Sequence, residues 1–355
     1  MDPRVAEHAR IVVNYSCDVK RGDFVLIDTS SGALPLVTEI AAEIAKAGAH
    51  FQVLARDYGF SRAYLLNASE ETLSSFPEPL LNLYKGADIL IAIIAPENTK
   101  ELADVPPEKF RMRVKGMAEA NKAIMGKEKW CITLHPTPAL AQEADKSLEA
   151  YSDFAYGAML RDWPAMASKM QVLADKMAAT KNIRLVGEET DISFSIEGRK
   201  PMVDAGKKNL PGGEVFTSPI EGTVNGRVYF DLPFLFLSNT VRGVRLKYVD
   251  GEIVEHSAEV GDKLLSELLA SDAGAKRLGE LGIGMNRGIT EVTKNMLFDE
   301  KMGDTIHMAV GRAFEEVGGT NESGIHIDMV KSMKKGGAIY FDGEAIYENG
   351  RFAWE

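Results

Sequence analysis

The stretch from Asn295 to Asp328 contains the residues of this chain that are best suited to bind a metal ion. Within it lie Glu300, His307 and His326. Imidazole combined with carboxylate suits zinc, cobalt, manganese or iron better than calcium. One apolar residue separates His326 from Asp328, so on a β-strand both side chains point to the same face. This spacing predicts that the two side chains hold one ion.

Each of these residues, taken alone, also has a purely structural interpretation. A single histidine such as His307 in an apolar stretch is often a hydrogen-bonded core residue. A His-x-Asp pair can also lie on a strand edge without binding anything. Two of the six histidines lie here, however, beside acids and amid apolar residues that would bury them. A buried charge without a partner costs on the order of several kcal/mol, so the combination favours a metal site.

Two further carboxylates lie beside glycines. Glu214 follows Pro-Gly-Gly and opens a β-rich run, where loops often place functional side chains. Glu280 lies in an apolar run between Gly279 and Gly282. Glycines let backbones approach closely. Each acid is therefore either an exposed carboxylate without function or a ligand, and both interpretations stay open at this point.

Length and composition indicate a globular protein of two domains. The chain has 355 residues, which is long for a single core. Its net charge of -11 argues against a nucleic-acid partner. The two cysteines, Cys17 and Cys131, cannot build a disulfide framework and suit a reducing compartment. The longest apolar run is far shorter than the about 20 residues that span a bilayer. We therefore expect a cytoplasmic protein with no membrane partner.

Strand and helix patterns alternate in the first half of the chain. The β-rich runs are Phe24–Asp28, Phe51–Leu54, Ala87–Ala95 and Trp130–Leu134. Strand, helix and strand in this order form parallel units with right-handed crossovers. Near Asn182 the helical pattern stops and alternating strands begin. The sequence thus predicts an α/β fold: an N-terminal parallel-sheet domain over residues 1–182 and a C-terminal mixed α+β metal-binding domain over residues 183–355.

Short motifs follow one another along most of the chain. They are Trp130–Ala144, Tyr151–Phe154, Gly213–Phe216, Gly279–Gly284, Asp299–Lys301 with Thr305–His307, and Asn321–Ser323 with His326–Asp328. In this order the motifs resemble the thermophilic metalloaminopeptidase family. Taken together in this order, the motifs are specific for that family.

This resemblance implies a homodimeric enzyme that releases N-terminal amino acids from peptides. It implies six ligands for two adjacent divalent ions (zinc, cobalt or manganese): Glu214, Glu280, Glu300, His307, His326 and Asp328. Glu280 would bridge the two ions. Four carboxylates bring four negative charges, which two divalent ions neutralise. Such a pair of ions, about 3.5–4 Å apart, lowers the pKa of a bridging water and polarises the scissile carbonyl.

Phe314 departs from the family pattern, which has a tyrosine seven residues after the matching histidine. A phenol could donate a hydrogen bond to the tetrahedral intermediate, and removal of one such donor typically costs about 2.7–4 kcal/mol. Phenylalanine cannot donate. Either another donor serves, with Arg199 and Arg312 as candidates, or the reaction is slower or different. Asp299 and Glu221 are candidates for binding the free amino group.

Two other functions compete with the hydrolase. The first is a mononuclear iron(II) ring-cleaving dioxygenase on the same scaffold, which needs two histidines and one carboxylate on one ion. Those proteins resemble this family but have a histidine where this chain has Glu280, so Glu280 favours the hydrolase. The second is a metal-binding homologue with weakened catalysis, which is compatible with Phe314.

Overall fold

The chain folds into two units in a computed structural model that describes residues 2–236 and 239–355. Unit 1 comprises Met1–Arg161 and Gly206–Pro211. Unit 2 comprises Asp162–Ala205 and Gly212–Glu355. The short segment Gly206–Pro211 thus returns to unit 1 just before the chain reaches Glu214.

Twelve α-helices lie in the described residues. In chain order they are α1 Pro3–Arg10, α2 Leu34–Ala47, α3 Tyr58–Asn67, α4 Glu70–Leu73, α5 Glu78–Gly86, α6 Pro107–Gly116, α7 Ala118–Met125, α8 Pro138–Glu143, α9 Leu148–Met159, α10 Trp163–Ala178, α11 Asp262–Leu269 and α12 Met296–Asp299. A π-helical turn, Ile11–Ser16, continues α1, and 3-10 turns lie at Ser31–Ala33, Glu221–Thr223 and Glu315–Val317. In this part of the chain, no helix has the length and apolar character needed to cross a bilayer.

Twenty strands complete the described part of the structure. They are β1 Phe24–Thr29, β2 His50–Ala55, β3 Ile89–Ile94, β4 Lys129–Leu134, β5 Asn182–Gly187, β6 Thr190–Ser195, β7 Met202–Asp204, β8 Asn209–Leu210, β9 Glu214–Thr217, β10 Asn225–Phe230, β11 Phe234–Phe236, β12 Asn239–Val241, β13 Val244–Val249, β14 Glu252–Ser257, β15 Leu278–Gly284, β16 Thr305–Gly311, β17 His326–Ser332, β18 Ala338–Phe341, β19 Glu344–Glu348 and β20 Arg351–Phe352.

Unit 1 is built on one parallel sheet with the strand order β2-β1-β3-β4-β8. Its central strands are apolar runs whose side chains are buried, including Val25 and Ile27 of β1. Runs of this kind are typical of parallel strands covered on both faces. Helix α2 connects β1 to β2 and ends at Gly48, whose φ of 74° closes the helix in the left-handed conformation.

Unit 2 contains antiparallel sheets and few helices. One sheet of eight strands has the order β14-β13-β10-β6-β5-β18-β19-β20, and a second of five strands has the order β17-β16-β15-β9-β7. A two-stranded ribbon pairs β11 with β12. The parallel α/β sheet in unit 1 and the antiparallel sheets in unit 2 confirm the predicted fold class.

The division between the units lies at Arg161, before the predicted boundary at residues 182/183. The observed and predicted boundaries differ by helix α10, because the apolar face of this helix packs in the core of unit 2. Met170, Leu173 and Met177 of this helix are buried in the same apolar cluster as Val215 of β9. In the sequence, α10 continues the helical pattern of the preceding segment, so local periodicity does not reveal which core receives it.

Candidate metal centre

The five-stranded sheet of unit 2 carries five of the six predicted ligands. Glu214 opens β9, Glu280 lies on β15, His307 lies on β16, and His326 and Asp328 lie on β17. The cross-strand partners are Glu214 with Gly284, Gly282 with His307, Ala309 with Asp328, and Gly311 with His326. Because side chains alternate along a strand, this register places all five ligands on one face of the sheet. Four successive strands thus bring together residues that are far apart in sequence.

Backbone carbonyls orient both histidines. The Nδ1 atom of His307 lies 2.9 Å from the carbonyl oxygen of Glu300, the sixth predicted ligand, which follows α12. The Nδ1 atom of His326 lies 2.7 Å from the carbonyl oxygen of Arg312. A carbonyl only accepts, so each Nδ1 carries the proton and donates it. Such an outer bond fixes the tautomer and leaves Nε2 free to bind a metal.

The Nε2 atoms of the two histidines lie on either side of Glu280. The His307 Nε2 is 3.5 Å from Glu280 Oε1 and 3.4 Å from Glu214 Oε2. The His326 Nε2 is 3.2 Å from Glu280 Oε2 and 3.6 Å from Asp328 Oδ2. Two groups of donors result, Glu214–Glu280–His307 and Glu280–His326–Asp328, and within each group the donor atoms lie within 4.8 Å of one another. Glu280 belongs to both groups through different oxygens.

Burial makes this cluster costly without a cation. The exposed fractions of Glu214, Glu280 and His307 are 5%, 4% and 1%. The Oε2 atom of Glu214 and the Oδ1 atom of Asp328 are buried, and neither has a hydrogen-bond partner in the described residues. Buried polar atoms normally have partners, so these oxygens fit a site that receives metal ions.

The pKa values also indicate a site built for positive charge. Burial would lower the pKa of His307, but the bond to Glu280 and the charge of Glu214 raise it to about 10. Burial likewise opposes a charged His326, yet Asp328 and Glu280 raise its pKa well above the usual value. Burial would raise the pKa of Asp328, but the charge of His326 lowers it to about 2. Burial raises the pKa of Glu214 to about 8 although Lys301 is close. Without metal, the protonated imidazoles of His307 and His326 supply the positive charge that metal ions would otherwise bring.

Gly282 leaves the space that the His307 ring occupies, which the sequence did not indicate. A Cβ atom on Gly282 would lie 1.9 Å from Cε1 and 2.2 Å from Nε2 of His307. Phe216 of β9 is the cross-strand partner of Gly282 on the other side. The absence of a side chain here is therefore a requirement of the site, and its only sequence signal was the unusual density of glycines around Glu280.

Lys301 is a second feature that sequence analysis missed. It follows Glu300, and its side chain is fully buried. Its Nζ lies 3.2 Å from Glu214 Oε1 and donates to Glu300 Oε1. Asp204, also buried, is the cross-strand partner of Glu214 on β7. The available signal was a lysine directly after a predicted ligand, but lysine is seldom buried, so its sequence position alone suggested an exposed side chain.

Phe314 lies beside the candidate ligands. Its ring centroid is 4.8 Å from that of His326 and 6.1 Å from that of Phe216. Phe216 lies two residues after Glu214 on β9 and so points to the same face of the sheet. Both rings are partly exposed. They form an apolar wall next to His326.

Hydrogen bonds fix the side chain of Arg199 near the loop that follows Phe314. Its Nη2 donates to Glu221 Oε2 at 3.1 Å and to the Pro219 carbonyl at 2.8 Å. Glu221 also accepts bonds from the backbone N–H and the hydroxyl of Thr320. These contacts tie Arg199 and Glu221 together in a structural link. The Nε of Arg199 is buried and has no acceptor in the described residues.

Asp299 and Arg312, the remaining candidates from the sequence, have different surroundings. Asp299 is buried, and its Oδ1 accepts hydrogen bonds from the backbone N–H and the hydroxyl of Thr293. Burial raises the pKa of Asp299 to about 7. Arg312 is exposed, and its carbonyl holds His326. Asp299 thus supports the turn that precedes α12, and the backbone of Arg312 orients a ligand.

Comparison with known proteins identifies the family of this chain. The model of the family Thermophilic metalloprotease (M29) matches residues 1–352. Aminopeptidase 2 of Geobacillus stearothermophilus is 27% identical, over 98% of this chain and 97% of that protein. Aminopeptidase T of Thermus thermophilus is 26% identical, over 96% of this chain and 94% of that protein. The solved structure of wild-type AmpT from Thermus thermophilus shares the fold with a TM-score of 0.87, at 24% identity and with 99% of both chains covered. The chain therefore belongs to the thermophilic metalloprotease family and is a metallopeptidase of the same class as these aminopeptidases.

Proposed function

We propose that this protein is an aminopeptidase that uses two divalent metal ions to release N-terminal residues from peptides. The observation that carries the proposal is the position of Glu280 between two groups of donors. One of its oxygens faces His307 and Glu214, and the other faces His326 and Asp328. A carboxylate that offers one oxygen to each of two groups is suited to bridge two cations.

The charge of the cluster supports binding of divalent cations and has room for two. The carboxylates of Glu214, Glu280, Glu300 and Asp328 carry four negative charges when ionised, and Lys301 supplies one positive charge. Four minus one leaves three negative charges in a buried site. A single divalent ion would leave part of this charge uncompensated, which is unfavourable in a medium of low dielectric constant. Two divalent ions would offset all three negative charges and leave one positive charge, which favours a negatively charged group at the site.

The donor set indicates which metals fit and what the protein contributes. Carboxylates with imidazoles suit zinc, cobalt or manganese. When bound, such ions supply Lewis acidity and lower the pKa of a water held between them. The chain itself holds His307 and His326 with Nε2 directed at the site, through the carbonyls of Glu300 and Arg312. Its acidic face attracts the ammonium group of a free peptide N-terminus. Arg199, whose side chain is linked to Glu221 and whose Nε has no acceptor in the described residues, remains the donor to the developing oxyanion that the sequence suggested.

The remaining parts of the proposal rest on the family resemblance and on composition. We expect a homodimer because the resemblance to the family implies one. We expect a cytoplasmic enzyme because the chain is acidic and has only two cysteines. We expect peptide substrates because the similar proteins are named aminopeptidases. Phe314 leaves a weakened catalyst as the second candidate, since its ring occupies the place of a hydrogen-bond donor in the family pattern.

Metal analysis combined with an activity assay tests the proposal. We expect two zinc, cobalt or manganese ions per chain after loading and dialysis, and release of N-terminal residues from unblocked peptides by the loaded protein. N-acetylated peptides of the same sequence serve as the control and should not be cleaved. One oxygen-sensitive iron per chain would support the dioxygenase instead. Two ions without peptide cleavage would support the weakened homologue.

Substitution of Phe314 by tyrosine is expected to raise turnover on an N-terminal amide substrate, by about tenfold or more if the added hydroxyl donates to the oxyanion. The reason is position, because the ring lies 4.8 Å from the His326 ring at the edge of the donor cluster. Measurement of kcat and KM separates this effect from altered binding. Phe60→Tyr is the control, because the Phe60 ring is exposed on α3 of unit 1, and this variant should leave kcat unchanged. An unchanged kcat for Phe314→Tyr would mean that the ring only packs.

A further inference from the structure

We infer that Lys301 is a positioning residue that restricts Glu214 and Glu300 to one metal-binding oxygen each, keeping coordination positions open at the expense of metal affinity. This inference rests on the proposed two-metal function. Lys301 contributes no ligand atom itself, since an ammonium group has donors only.

The contacts of Lys301 are specific. Its side chain has no exposed area, so its charge depends entirely on protein partners. Those partners are Oε1 of Glu214, 3.2 Å from Nζ, and Oε1 of Glu300. A buried ion pair persists only with good geometry, and loss of one partner is strongly destabilising. Each of the two acids is therefore fixed through one of its oxygens.

The second oxygen of Glu214 has a different environment. Its Oε2 lies 3.4 Å from His307 Nε2, accepts no hydrogen bond in the described part of the chain, and faces the first donor group. Glu214 thus divides its oxygens between Lys301 and the site. Because Lys301 Nζ contacts Oε1 of Glu214, Oε2 is the oxygen better placed to bind a metal, and the bond to Oε1 of Glu300 likewise favours that residue's other oxygen. A carboxylate that binds through both oxygens would take a second position on the ion, whereas catalytic sites keep a position open for water or substrate.

Lys301 also acts through its charge. A positive charge that contacts two ligand carboxylates repels a divalent ion bound to the same carboxylates, and this repulsion is strong inside a protein. A purely structural lysine would stabilise the site, so its loss would weaken metal binding. We expect the opposite sign for Lys301, because its removal abolishes the repulsion and frees two oxygens.

The test replaces Lys301 by methionine, which has similar length and no charge. We expect Lys301→Met to bind cobalt(II) at least about tenfold more tightly in a chelator competition. Its visible cobalt spectrum should have lower absorptivity, as a higher coordination number requires, and kcat should fall. Lys331→Met is the matched control. Lys331 is also a buried lysine of unit 2, but its Nζ contacts the Glu188 carbonyl rather than a candidate ligand. This control should change neither affinity nor spectrum.

Equal or weaker cobalt binding by Lys301→Met, with an unchanged spectrum, would overturn the inference. If that variant does not fold, Lys301→Gln gives the same test, because it is neutral but keeps one donor for an acid. The metal content of the wild-type protein separates the proposed function from the role of Lys301. Fewer than two ions per wild-type chain would refute the proposed function, whereas two ions with no difference between wild type and variant would refute only the role of Lys301.

Discussion

Replacement of Glu280 by glutamine is expected to abolish peptide hydrolysis and to lower the metal content while the fold stays intact. The amide has nearly the shape of the carboxylate but lacks its charge, and only one of its two terminal atoms can accept. Because one Glu280 oxygen faces His307 and the other faces His326, the substitution damages both donor groups at once. We expect kcat/KM to fall by roughly three orders of magnitude or more, as for loss of a central catalytic group.

Three measurements check this result: metal per chain, kcat/KM on an unblocked peptide, and the thermal transition followed by circular dichroism. Glu255→Gln is the control, because its side chain is exposed on β14 and pairs only with Lys247 in the described residues. That variant should retain metal and activity. Full activity together with two ions in Glu280→Gln would refute the assignment of Glu280 as the shared ligand.

The architecture was largely predictable, because it depends on local patterns. Apolar β-rich runs separated by helical periodicity predicted the parallel strands of unit 1, where β1 and β3 coincide closely with two of the predicted runs. The alternation of His326, Ile327 and Asp328 predicted that both polar side chains share a face, and the chain there is strand β17. Local spacing is sufficient where the relevant geometry is that of a single strand.

Features that depend on pairing between distant segments were not predictable. Lys301 is buried because β9 brings Glu214 close to the residues that follow α12, and nothing near Lys301 in the sequence reports this contact. The assignment of α10 to unit 2 likewise depends on which core receives its apolar face. Gly282 falls in the same class, since its importance comes from the cross-strand position of His307. In each case the cause is a tertiary neighbour.

Substitution of Gly282 by alanine is expected to displace His307 from the donor group Glu214–Glu280–His307. The new Cβ would lie 1.9 Å from Cε1 and 2.7 Å from Nδ1 of His307, far inside van der Waals contact. The ring cannot move aside easily, because its Nδ1 bond to the Glu300 carbonyl holds it and its exposed fraction is only 1%. Either the ring rotates out of the site or β15 and β16 separate, and overpacking of this kind typically costs about 1–3 kcal/mol of stability.

The expected outcome is loss of about one metal ion per chain and of most activity in Gly282→Ala, measured by metal analysis and kcat/KM, with a lower thermal midpoint. Gly222→Ala is the control, because a Cβ there meets no atom within 4 Å, and it should leave all three quantities unchanged.

The double variant Gly282→Ala with His307→Ala separates the two effects of the substitution. If the clash with the ring is the cause, the double variant recovers stability relative to Gly282→Ala but not the lost ion, so the two substitutions are non-additive in stability. Additive losses would show instead that Gly282 acts through the backbone of β15, and a Gly282→Ala variant with two ions would place His307 outside the site.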